Sequence, residues 1–71
     1  MNANLLKSKI VLKGLNVDKL LEIMKKNGKR MSRTAYFRKI NGTSEFDQSE
    51  ITAIVKALEI PKEEIIPIFF D

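Results

Sequence analysis

The chain predicts an all-α fold, a compact single domain of five short helices spanning residues 1–71. Three observations lead there. Ile51, Ile54, Val55 and Leu58 fall at i, i+3, i+4 and i+7, the spacing of one buried helical stripe. Glycines 14, 28 and 42 follow apolar-periodic segments that share no residue pattern, so they are helix stops and not a repeat. No segment alternates convincingly as a strand. VLKGL comes nearest, but the helical reading of Leu5 to Lys13 uses more of its residues.

The first helix is expected from an Asn4 cap through Lys13, with Leu6 and Ile10 on one face, widened by Leu5, Val11 and Leu12. Lys7, Lys9 and Lys13 stay wet on that reading. Asn16 caps the second helix, with Asp18 in its first turn and Leu20, Leu21 and Met24 on its buried side. Asn27-Gly28 stops it. Ser32 opens a third helix that runs to Asn41 before Gly42. Met31 at N′ and Tyr36 at N4 form a hydrophobic staple, and Tyr36 and Ile40 share the inner face. Asp47 and Glu50 form a capping-box pair for the fourth helix, stapled by Phe46 and Ile51. Pro61 starts a fifth helix with Glu63 and Glu64 in its first turn, and Pro67 is expected to end it. Ile68, Phe69 and Phe70 then close the core or form a dimer contact.

Composition narrows the function. The chain has no cysteine and no histidine, which removes thiolate chemistry, the usual metal ligands and the usual general base. No glycine pattern forms a phosphate loop. We therefore expect no enzyme, no metal site and no cofactor. The start lacks a signal peptide's apolar core, and no run approaches the ~20 apolar residues of a membrane span. A soluble intracellular protein is the expectation.

Charge is segregated. Between Lys25 and Lys39 stand Lys25, Lys26, Lys29, Arg30, Arg33, Arg38 and Lys39 with no acid, although the whole chain carries only +4. From Glu45 onward the acids outnumber Lys56 and Lys62. A concentrated positive field steers polyanions and is the first footprint of a nucleic-acid binder. These cations gather around a turn and a short helix, not along one long amphipathic face, which disfavours a membrane-surface role.

LLKSKIVLKGL, VDKLLEIM, MSRTAYFRKINGTSEFDQSEI, IVKALEI and IIPIFF together resemble the small repressor and Cro-like regulators of temperate phages of Gram-positive bacteria. SRTAYFRKING with the downstream SEF carries most of that likeness. The resemblance implies a lambda-repressor/Cro-like helix-turn-helix domain, a role in the lysis–lysogeny choice and a place in the bacterial cytoplasm. It makes Ser32–Asn41 the recognition helix, whose first residues reach base edges in such domains. Base contacts then fall to Arg33, Thr34, Phe37 and Arg38. Arg33 is the best candidate for a bidentate guanine contact. Phosphate contacts fall to Ser32, Lys29, Arg30, Lys39, Asn41 and Thr43.

One departure matters. Lys25 to Met31 adds about five residues relative to the family's spacing, where the usual turn has about three or four. The two expected partners are accordingly operator DNA, bound as a homodimer, and the N-terminal domain of a cognate phage repressor. In the second case the chain is an antirepressor with Glu45, Asp47, Glu50, Glu59, Glu63 and Glu64 facing the repressor's basic surface. Phe69 and Phe70 are its apolar anchors. Helix capping and dipole compensation explain several of those acids equally well.

Overall fold

Capping side chains start four of the five helices, at Asn2, Asn16, Ser32 and Asp47, and Pro61 starts the fifth without one. The computed structural model describes residues 1–70, and α1 (Ala3–Leu12), α2 (Val17–Lys26), α3 (Arg33–Ile40), α4 (Gln48–Leu58) and α5 (Lys62–Phe69) follow in order. No strand occurs among the described residues. Asn16 accepts from the Lys19 amide at 2.9 Å, and Ser32 accepts from the Ala35 amide at 3.0 Å. Asp47 accepts from the Glu50 amide at 2.8 Å while Glu50 takes the Asp47 amide at 2.8 Å, a complete capping box.

Either side of α3, the chain stops in the same way. After α2, the Lys29 amide donates to the Met24 carbonyl at 2.9 Å and that of Gly28 to Lys25 at 3.1 Å. After α3, the Thr43 amide donates to Arg38 at 2.9 Å and that of Gly42 to Lys39 at 3.2 Å. Both turns need a left-handed residue, and Gly28 (φ 90°) and Gly42 (φ 85°) supply it without the steric penalty of a Cβ.

α2 packs on α4, α3 lies beside α2, and α1 lies against α5. Leu6, Leu20, Met24, Ile54, Leu58 and Ile68 are fully or almost fully buried between them. An aromatic chain crosses the molecule from α3 to α5. Phe37 meets Tyr36 edge-on at 5.3 Å, Tyr36 meets Phe46 at 5.9 Å, and Phe46 meets Phe69 at 6.3 Å. Burial pushes the Tyr36 hydroxyl up to about 12, so it stays neutral in the core.

Several expectations need correction. Asn2, not Asn4, caps α1, accepting from the Leu5 amide at 3.0 Å. The Asn2 amide is itself held by the Ile68 carbonyl at 2.6 Å, which fixes the chain start against α5 and leaves Asn4 inside the helix. Val11 and Leu12 point to solvent. Lys9 is drawn down onto Glu64 at 2.6 Å and is not wet. Pro67 does not end α5. Its fixed φ suits a helix, and although it forfeits one amide bond, the next turn is retained because Ile68 and Phe69 are buried there. The inner stripe of α4 is also rotated. Ile54 and Leu58 are central as expected, but Ile51 and Val55 are half-buried while Glu50 and Ala53 face inward.

The Asp47 cap carries a pH prediction. The Ser49 hydroxyl and the Glu50 amide, both donating to its carboxylate, hold Asp47 below the ordinary carboxylate range, with Lys29 and Lys39 adding in the same direction. Glu59 is lowered by the hydrogen bond and charge of Lys13. Both folded values lie below the unfolded ones, so the stabilisation is present above about pH 4 and lost as pH falls through the folded values. Denaturation midpoints should therefore drop between neutral pH and pH 3, and Asp47→Asn should shrink that drop.

Candidate nucleic-acid interface

The outward face of α3 is built by the same periodicity that buries Tyr36. Turning Tyr36 inward leaves Arg33, Thr34, Phe37 and Arg38 outside, and the Gly42 turn folds Asn41 and Thr43 back toward them. These six residues line one shallow cleft. The base-contact candidates and two of the phosphate-contact candidates are thus brought together, and no carboxylate lines the cleft.

Arg33 is oriented from two sides. Its guanidinium lies 5.2 Å from the centre of the Phe37 ring, and its Nη1 donates to Asp18 Oδ1 of α2 at 2.5 Å. Phe37 is 37% exposed, enough to present a ring edge while resting on Tyr36. Arg38 is exposed and has no acidic partner among the described residues.

The phosphate-contact candidates divide. Arg30 is exposed and unpaired, and Lys29 is half-buried with Asp47 at 4.0 Å. Ser32 spends its oxygen on the Ala35 amide but remains exposed. Lys39 is withdrawn from the surface. Its ammonium sits between the two oxygens of Glu50 at 2.5 and 2.6 Å and 5.8 Å from the centre of the Phe46 ring. Lys25, on the last turn of α2, is exposed and unpaired, and shares a groove with Arg30. Simple periodicity on α2 would have put it there. Asp18 was legible only as a dipole-compensating acid, and its reach to Arg33 depends on how α2 meets α3.

The acidic candidates are mostly engaged. Glu59 binds Lys13, Glu64 binds Lys9, and Asp47 is the α4 cap. Glu50 is buried against Lys39, and Phe69 is buried in the core, so neither presents a surface to a partner. Both leave the set of partner contacts for the same reason: their favourable contacts lie inside the fold. Glu45 and Glu63 remain exposed and unpaired, and Phe70 is 66% exposed. On the cationic side Lys7, Lys19, Lys25, Arg30, Arg38, Lys56 and Lys62 have no acidic partner among the described residues. Internal pairing therefore neutralises the acids more completely than the bases.

Among the described residues, no group of three acids could hold a metal ion, and no helix is long and apolar enough to cross a membrane. Comparison with protein-family models, curated proteins and solved structures found no match to the chain.

Proposed function

We propose that the chain is a DNA-binding regulator of a phage's lysis–lysogeny choice, with α2 and α3 as a helix-turn-helix and α3 in the major groove. The observation that carries it is the cleft on α3 lined by Arg33, Arg38 and the exposed ring of Phe37, with no carboxylate in its lining and Asp18 of α2 meeting the Arg33 guanidinium. A helix about 10–12 Å across matches a groove about 12 Å wide. Arginine reads guanine through O6 and N7, while Phe37 and the Thr34 methyl suit a thymine methyl. Lys25 and Arg30 share a groove with Ser32 at the α3 N-terminus, where amides and the helix dipole favour phosphate, although Asp18 and Glu22 line the same groove. The connection from Asn27 to Ser32 exceeds the usual turn of about three or four residues, and its cations widen the basic surface. The phage role rests on the resemblance of SRTAYFRKING and its flanks to phage regulators.

Repeated selection of bound duplexes from a random double-stranded pool tests this reading. Enrichment of a common half-site containing guanine is expected. A pool that stays random, with no retention at micromolar protein, would contradict it.

One observation favours a second reading, binding to a cognate phage repressor. Glu45 and the exposed Phe70 line the same cleft, an apolar anchor beside a free carboxylate. Co-purification with the repressor's N-terminal domain, lost in Phe70→Ala and Glu45→Lys, is the outcome that reading requires. No association at about 10 μM, roughly the weak end of specific complexes, would remove it.

A further inference from the structure

We infer that Asp18 is a positioning residue for sequence reading, holding the Arg33 guanidinium in the orientation that meets a base pair. The inference rests on the proposed reading of DNA by α3 and adds a specificity-determining residue on α2. Arg33 is held between a carboxylate and an aromatic face: Asp18 takes Nη1 at 2.5 Å, and the Phe37 ring centre lies 5.2 Å from the guanidinium carbon. Asp18 stands in the first turn of α2 behind the Asn16 cap, and Phe37 rests edge-on against the buried Tyr36, while the ion pair itself faces solvent, its side chains 59% (Arg33) and 72% (Asp18) exposed.

Asp18 engages one guanidinium nitrogen through one oxygen, which leaves other N–H donors of the fork for a base edge. The two contacts bias the Arg33 side chain toward one orientation and so remove part of the rotameric freedom that binding would otherwise remove. A carboxylate facing DNA also repels phosphates in general. Asp18 therefore weakens binding to any duplex while sharpening the choice among duplexes.

The test compares wild type, Asp18→Asn and Asp18→Glu on three probes: the duplex enriched from the random pool, a scrambled duplex, and a single-base-pair variant. The varied position is the one at which Arg33→Ala relaxes preference. In Asp18→Asn, affinity for the scrambled duplex should rise, and discrimination against the single-base-pair variant should fall about 1.5- to fivefold, the range of an exposed ion pair. Asp18→Glu should keep most of that discrimination. Thermal midpoints measured in parallel separate this effect from unfolding. Unchanged discrimination in a folded Asp18→Asn, with wild type still selective, overturns the inference alone. A wild type that does not distinguish selected from scrambled duplex overturns the DNA reading and this inference together.

Discussion

Replacing Glu50 with alanine should lower the unfolding free energy by about 3 kcal/mol, measured by chemical denaturation at neutral pH. Two losses combine. The Asp47 amide loses its acceptor, so the α4 capping box is broken, a change worth about 1 kcal/mol. Lys39, whose side chain is only 16% exposed, loses the carboxylate that holds it at 2.5 Å. Full burial of the orphaned charge would cost about 3–5 kcal/mol. Lys39 can partly reach water by straightening, which lowers its share to about 2 kcal/mol and brings the total to about 3 kcal/mol. For a domain expected to be stable by about 4–10 kcal/mol, this is a large fraction. The apolar double replacement Lys39→Met with Glu50→Leu should recover much of the loss, because no buried charge is left alone. A loss below about 1 kcal/mol in Glu50→Ala would show that the pair does not tie α3 to α4.

Replacing Arg33 with alanine should weaken binding to the enriched duplex by about one to two orders of magnitude, corresponding to about 1–3 kcal/mol, and relax preference at one base pair. The same change should affect a scrambled duplex far less. Lys25→Ala and Arg30→Ala should instead weaken all duplexes to a similar degree, each reducing the log–log salt slope by about 0.9. The contrast follows from position: Arg33 and Phe37 share the α3 cleft, while Lys25 and Arg30 share the neighbouring groove below the α3 N-terminus. Titrations at several salt concentrations measure both effects. Uniform weakening by Arg33→Ala would assign it to phosphate.

Local signals carried much of this in the sequence. Asp47-x-x-Glu50, the Ser32 cap and the glycine stops act within a few residues, and the structure retains each of them. The outward set Arg33, Thr34, Phe37 and Arg38 followed from the helical period once Tyr36 was placed inside. What periodicity could not show was pairing across elements. Lys39 and Glu50 each read as surface charges, yet they meet because the turn after α3 brings the first turn of α4 back to its end, with the Phe46 ring 5.8 Å from the Lys39 ammonium. Lys9 and Glu64 are 55 residues apart, and Arg33 and Asp18 are 15 apart. Pro67 misled for the same reason. Its local preference is to end a helix, and only the burial of Ile68 and Phe69 outweighs that preference.

Backbone amide shifts of isotope-labelled protein, followed during titration with the enriched duplex, report whether the exposed face of α3 reads duplex DNA. The largest changes are expected at residues 32–43, smaller ones at residues 25–30, and little along α1 and α5. Changes centred on Met1 and Phe70 while residues 32–43 stay silent would contradict that reading.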